Sequence, residues 1–136
     1  MKFVLDENFS FRLPPALRAI FDAESRIYEI LHLDTDLGWG GLPDQNWLPK
    51  LPKNEQIALL TKDFHISRRP HERAAWREAG VITFFFGKGW FHITGAEQAS
   101  LLIKWWPTIR DTAYQARLGA VYPVPYNSHP RKLDSL

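Results

Sequence analysis

Four short strand-like runs, separated by segments with helical periodicity, constrain the fold of this chain most strongly. The runs lie at residues 2–5, 27–33, 56–61 and 81–86, and each is bounded by turn residues or charge. Strands that alternate with helices are typical of βαβ units, which build parallel sheets. We therefore predict an α/β domain with a mostly parallel central sheet flanked by helices.

Four helical segments accompany these runs. The sequence predicts them over residues 10–21, 43–51, 67–79 and 94–118. Ser10, Ser67 and Thr94 suit helix starts because their hydroxyl oxygens can accept from free backbone amides. Pro43 suits a first turn, where no backbone donor is needed. Pro107 leaves open an interruption of the last helix.

The length of 136 residues and a hydrophobic share of 45% predict one domain with a real core. We place this domain at residues 1–118. Residues 119–136 are rich in proline and have no periodicity, so we expect an extended C-terminal tail. Such a tail either wraps the domain or awaits a partner.

Composition excludes several classes of protein. A formal net charge of +2 is too small to argue for nucleic-acid binding by itself. With no cysteine, the chain has neither a disulfide framework nor a cysteine-ligated zinc site, and it suits a reducing cytoplasm. No apolar run approaches the roughly 20 residues of a membrane span. We expect a soluble cytoplasmic protein that does not enter membranes.

Acidic residues stand where a parallel sheet would bring them together. Asp6 directly follows the first apolar run, Asp63 follows the third, and Asp44 lies at the start of the second helix. In open α/β sheets, ligands bind outside the carboxyl ends of the strands. Clustered carboxylates repel one another unless a cation neutralises them, and their hard oxygens suit Mg²⁺ or Mn²⁺.

Three strings resemble the compact PIN-like group of VapC-type toxin ribonucleases: LDENFSFRL, LPDQNWLPKL and LLTKDFHISRRPHERAAWREAGVITFFF. The resemblance covers roughly residues 1–90. It implies that Asp6, Asp44 and Asp63 are catalytic and hold Mg²⁺ or Mn²⁺, and that the metal activates water for attack on an RNA phosphodiester. It also implies a cognate antitoxin protein as a partner.

Further residues take roles from the same resemblance or from their position. Asn8 and Thr61 match polar neighbours of the metal-binding acids and could orient them. Arg68 and Arg69 lie at the start of the third helix, where backbone amides also favour an anion, so they are candidates for binding RNA phosphate. The alternative is a solvated face with ion pairs such as Arg68 with Glu72.

The chain departs from the family pattern at one place. PIN proteins commonly have a fourth acid shortly after the third, whereas this chain has Phe-His-Ile at residues 64–66, and Glu72 is the candidate replacement. Asp34 and Asp36 are alternatives to Asp44. A PIN-like module that binds RNA or protein without cutting therefore stays open as the alternative function.

Two features outside the acids also carry expectations. The Gly-Lys-Gly turn at residues 87–89 either cradles a phosphate or is a tight turn before the last helix. Trp105 and Trp106 are adjacent and cannot share one helix face, so we expect one in the core. The other then forms a contact surface for a partner or for a second copy in a homodimer. Glu7 is expected to face solvent or a neighbouring base.

Overall fold

Within the described residues, five parallel strands form one sheet. The computed structural model describes residues 1–22, 27–62 and 70–136, except for the side chains of residues 44, 45 and 70–73. The strands are β1 (Lys2–Leu5), β2 (Glu29–His32), β3 (Ile57–Thr61), β4 (Ile82–Phe86) and β5 (Val121–Val124). Their order is β2-β1-β3-β4-β5, and every pairing is parallel. The predicted α/β fold with its parallel central sheet is confirmed.

In the part of the chain that the structure describes, four α-helices connect or follow the strands. They are α1 (Leu13–Ile20), α2 (Asp44–Trp47), α3 (Pro70–Ala79) and α4 (Gly95–Gln115), with 3-10 turns at Leu48–Lys50 and Lys88–Phe91. The Thr94 hydroxyl accepts from Glu97 N at 3.2 Å, as its predicted cap position requires. Helix α4 passes through Pro107 without a break. Among the described helices, none combines the length and the apolar character that a membrane span requires.

Both faces of the sheet are covered, which explains why the strands lack polar alternation. Along β1, Phe3 and Leu5 belong to a core cluster that also contains Trp106 of α4 and Leu17 of α1. Val4 points the other way, into a second cluster that contains residues of α2 and α3. The sheet therefore separates two apolar layers, and the carboxyl ends of its strands share one edge.

The C-terminal segment, residues 119–136, packs on this domain and adds a strand to its sheet. Residues 121–124, which lie in the tail predicted at residues 119–136, form edge strand β5. Pro123 is opposite Phe85 of β4, a position that suits proline because an edge strand can leave its outer side without a donor. Beyond the strand, Leu133 is only 6% exposed and packs in the larger core cluster. The segment lacked the alternation that predicts strands, so its role in the sheet was missed.

Both adjacent tryptophans of α4 are fully buried, so the prediction that one of them forms a contact surface is wrong. Trp106 Nε1 donates to the hydroxyl of Tyr28 at 3.0 Å. Trp105 Nε1 donates to the backbone oxygen of Asn127 at 2.8 Å. The C-terminal segment covers the helix face that would otherwise expose Trp105, which is why two neighbouring rings can both be buried.

The buried leucine of this segment provides a test of its packing. We predict that Leu133→Ala lowers the free energy of unfolding by about 2–3 kcal/mol, because a buried leucine is truncated. Leu136 is 66% exposed, so Leu136→Ala is the matched control and should change it by less than about 0.5 kcal/mol. Chemical denaturation measures both values. Equally small effects of the two substitutions would show that the segment does not pack on the core.

Candidate active site

The carboxylate of Asp6 is the centre of the polar network at the carboxyl edge of the sheet. Asp6 follows β1 directly and is 7% exposed. Its Oδ2 accepts from Thr61 Oγ1 at 2.5 Å and from Lys62 N at 3.1 Å. Its Oδ1 accepts from Asn8 N at 3.0 Å. The side chain therefore ties the end of β1 to the end of β3, its neighbour in the sheet.

Burial and hydrogen bonding act in opposite directions on this acid. Burial raises the pKa of the Asp6 carboxyl above its usual 3.8, because the charged form loses its hydration. The hydrogen bonds from Thr61, Lys62 and Asn8, together with the positive charge of Lys62, lower that pKa, but burial dominates. A cation beside the carboxylate would favour its charged form and thus oppose the effect of burial.

Lys62 brings a cation to the same edge. Its Nζ donates to the backbone oxygen of Asn8 at 3.2 Å and lies 4.8 Å from the centroid of the Phe9 ring. Burial lowers the pKa of the Lys62 ammonium, and the charge of Asp6 opposes that shift. The ammonium thus holds the loop after β1 against the end of β3.

A cavity of about 60 Å³ lies beside Asp6. Its lining residues are Asp6, Glu7, Asn8, Leu33, Leu42, Trp47, Leu59, Thr61 and Trp76. Trp47 and Trp76 are each 2% exposed, so the cavity is closed by apolar rings on the side of α2 and α3. Trp76 Nε1 has no hydrogen-bond partner among the described residues, which makes it a buried donor that a ligand could satisfy.

Glu7 has a structural contact that the sequence did not indicate. Its Oε2 accepts from the backbone N–H of Gly41 at 2.6 Å, which links the loop after β1 to the glycine-rich loop after β2. Gly40 of that loop is packed against Asp34, and a Cβ atom there would lie 2.4 Å from the Asp34 carboxyl carbon. This loop therefore requires glycine at position 40 and leads directly into α2.

The two alternative acids, Asp34 and Asp36, do not line the cavity beside Asp6. Asp36 Oδ2 accepts from His32 N at 2.7 Å and lies 3.8 Å from Arg18 Nη1. His32 is buried, and its Nε2 donates to the backbone oxygen of Phe9 at 2.8 Å while its Nδ1 accepts from the amides of residues 34 and 35. Asp36 thus belongs to a network that fixes the end of β2.

Several predicted site residues lie beyond what the structure describes. Asp63, Arg68 and Arg69 are outside the described residues. Asp44 is the first residue of α2, and Glu72 lies in α3, but their side chains are not described. The described residues bring together Asp6, Asn8 and Thr61, with Asn8 contacting Asp6 through its backbone amide.

The donor set around Asp6 fits a hard divalent cation in part. Asp6 Oδ1 accepts one hydrogen bond and so retains a lone pair, whereas Oδ2 already accepts two. The cavity has room for a cation and coordinated water, since one water needs roughly 10–15 Å³. Within residues 1–22, 27–62 and 70–136, no group of three His, Cys, Asp or Glu side chains could hold a metal. The carboxylate of Asp6 alone does not complete the coordination of a divalent cation, which also takes water or substrate oxygens as ligands.

A parallel α/β sheet with a buried acid at its carboxyl edge is consistent with a nuclease-type fold. Residues 1–88 of the chain match the PIN-like domain family. Because this match covers more than half of the 136 residues, the chain belongs to that family, whose members are generally nucleases. No curated protein and no solved structure compared with the chain matches it significantly.

The raised pKa of Asp6 predicts how stability depends on pH in the presence of a chelator. The folded state binds the Asp6 proton more tightly than the unfolded state, so this group's stabilising contribution is present below pH 3.8 and lost as the pH rises through the raised pKa. We predict that the free energy of unfolding of the wild type falls, relative to that of Asp6→Asn, across this range. Denaturation at successive pH values measures the difference.

Thr61 supplies the control for this titration. Thr61→Val removes a donor that lowers the pKa of Asp6. In this background, the difference in free energy of unfolding between the proteins with and without Asp6→Asn should therefore change more with pH, while in the Thr61→Ser background it should change about as much as in the wild type. A difference between wild type and Asp6→Asn that does not change with pH would contradict the assignment of a raised pKa to Asp6.

Proposed function

We propose that this protein is a metal-dependent endoribonuclease that hydrolyses RNA phosphodiesters. The observation that carries the proposal is the buried carboxylate of Asp6, which three donors orient beside a small cavity at the carboxyl edge of the sheet. Membership of the PIN-like family supports the same reaction class. The choice of RNA over DNA rests on the resemblance to VapC-type ribonucleases alone.

In this proposal Asp6, Asp44 and Asp63 hold Mg²⁺ or Mn²⁺. Asp44 begins α2, and Trp47 of the same short helix lines the cavity beside Asp6. Asp63 comes two residues after Thr61 in the chain, and Thr61 contacts Asp6 directly. When bound, the metal would lower the pKa of a water ligand and stabilise charge on the phosphoryl group.

The remaining roles belong to the protein's own side chains and backbone. Thr61 and the amides of Asn8 and Lys62 keep the Asp6 carboxylate in one orientation, which fixes the direction of its remaining lone pair. The rings of Trp47 and Trp76 exclude bulk water from one side of the site and so strengthen its electrostatic interactions.

Positive charge for the phosphate comes from two sources in this proposal. Arg68 and Arg69 follow Asp63 closely in the chain and would steer and neutralise the RNA phosphate. Lys62 is a cation that the structure describes close to Asp6, and its ammonium donates to the Asn8 backbone oxygen. Lys62 therefore contributes a fixed positive field, whereas the arginines would contact the substrate.

Cleavage assays test the proposal directly. We predict that purified protein cleaves RNA in Mn²⁺, that a chelator stops cleavage, and that Asp6→Asn, Asp44→Asn or Asp63→Asn each reduces the rate by about 100-fold or more, because metal-stabilised charge is lost. Asp111→Asn is the matched control: Asp111 is an exposed acid of α4 paired with Arg110. Cleavage that survives substitution of Asp6 and Asp63 would contradict the catalytic assignment.

The biological role we propose is that of the toxin in a type II toxin-antitoxin pair, with a cognate antitoxin protein as partner. This role rests on the resemblance to the VapC-type group. Expression of the wild-type protein alone should arrest bacterial growth, and expression of Asp6→Asn at the same level should not, because arrest requires cleavage. Normal growth with a demonstrably active ribonuclease would contradict the toxin role and leave the nuclease intact.

A second candidate function is a PIN-like module that binds RNA or a partner protein without cutting. The hydrogen bonds of Asp6 favour this candidate. They join β1 to β3, so a purely structural role would account for the burial of this acid without catalysis. Binding of RNA in the presence of a chelator, together with no products in Mn²⁺, would support this candidate over the nuclease.

A further inference from the structure

The carboxyl edge of the sheet continues well past the cavity beside Asp6. Because all five strands are parallel, Lys62 after β3, Lys88 after β4 and Tyr126 after β5 follow Asp6 along the same edge. Neighbouring strands lie about 4.8 Å apart, so the three steps from β1 to β5 span roughly 14 Å. The edge is long enough to contact several units of a polymer substrate.

A second, larger cavity lies at the β5 end of this edge. This C-terminal groove has a volume of about 400 Å³ and lies between the turn after β4 and the segment after β5. Its charged lining residues are Lys88, Arg131, Lys132 and Asp134, so basic groups outnumber acidic ones by three to one. The three basic residues are exposed. A groove of this charge attracts a polyanion.

Exposed aromatic rings accompany these charges. Phe91 is 43% exposed, and the Nζ of Lys62 lies 5.9 Å from the centroid of its ring. Tyr126 is 52% exposed, lines the C-terminal groove and packs edge-on against Trp90 at a centroid distance of 6.0 Å. Basic grooves combined with accessible aromatic rings are typical of proteins that bind single-stranded nucleic acids, in which bases stack on the rings.

The Gly-Lys-Gly turn has a role in building this groove. A Cβ atom at Gly89 would lie 2.5 Å from the Tyr126 ring, so the ring sits directly on the turn. The absence of a side chain at position 89 thus lets the C-terminal segment close over the turn that carries Lys88. The turn brings the basic residues of two distant segments to one groove.

We propose that the C-terminal groove binds the backbone of single-stranded RNA that extends from the cavity beside Asp6. Lys88, Arg131 and Lys132 contact phosphates, and Phe91 and Tyr126 stack on bases. The inference rests on the proposed function, and it adds to it a binding surface formed mainly by residues beyond the family match. The net charge of +2 does not indicate this basic surface, because basic and acidic residues are distributed unequally over the protein.

Fluorescence anisotropy with a labelled single-stranded RNA tests the groove, with a chelator present so that no cleavage occurs. Arg131→Glu/Lys132→Glu should weaken binding at least tenfold. It should also reduce the slope of log K against log salt by about 1.4, because two phosphate contacts are lost. Lys53→Glu/Lys104→Glu is the matched control, since both lysines are exposed, neither lines the groove, and the net charge changes equally. It should change affinity less than twofold.

Tyr126 tests the stacking contact separately. Tyr126→Leu should weaken binding roughly tenfold, and Tyr126→Phe, which keeps the ring, should bind as the wild type does. Circular dichroism confirms that the variants fold. If the groove and control double variants weaken RNA binding equally, the effect is one of general charge, and the proposed role of the groove in binding RNA is overturned. Unchanged RNA affinity in Arg131→Glu/Lys132→Glu would overturn the proposal as well.

The outcomes separate this inference from the nuclease proposal. RNA binding that depends on the groove, with no cleavage in Mn²⁺, would refute the nuclease and retain the groove. Cleavage that requires Asp6, with RNA affinity insensitive to Arg131 and Lys132, would refute the groove and retain the nuclease. A duplex RNA of the same sequence should bind more weakly than the single strand, and equal binding would contradict recognition of unpaired bases.

Discussion

The burial of one carboxylate organises the carboxyl edge of this sheet. Removing the charge of Asp6 from water is unfavourable, and three hydrogen-bond donors among the described residues offset part of that loss. Two of the donors, Thr61 Oγ1 and Lys62 N, come from the end of β3. The position of the acid therefore depends on the pairing of β1 with β3. A ligand that binds Asp6 contacts a carboxylate whose orientation is already restrained.

The sequence predicted the layered α/β fold because its strongest signals were local. Strand-like runs without polar alternation at residues 2–5 and 81–86 indicated buried parallel strands, and Thr94 marked the start of α4 through its own hydroxyl. The position of Asp6 followed from the same logic, since an acid directly after a buried strand must lie at the sheet edge. Each of these features depends on a few neighbouring residues.

Features that depend on distant contacts were not predictable in the same way. Strand β5 has no alternation of polar and apolar residues and contains proline. It is stabilised by pairing with β4 and by packing on the core of the domain. The burial of Trp105 needs a backbone oxygen 22 residues further along the chain. Glu7 likewise finds its partner in the amide of Gly41, for which no motif exists. The acids Asp44 and Asp63 remain predictions from the sequence.

The boundaries of the family match do not coincide with the boundaries of the folded unit. The match ends at residue 88, whereas Trp90, Trp106 and Val124 fill the same core cluster as Phe3 and Phe86. A polypeptide cut at residue 88 would leave the hydrogen-bonding edge of β4 open along its length, which is a template for unwanted intermolecular strand pairing. Strand β5, which lies beyond the match, covers that edge by pairing with β4.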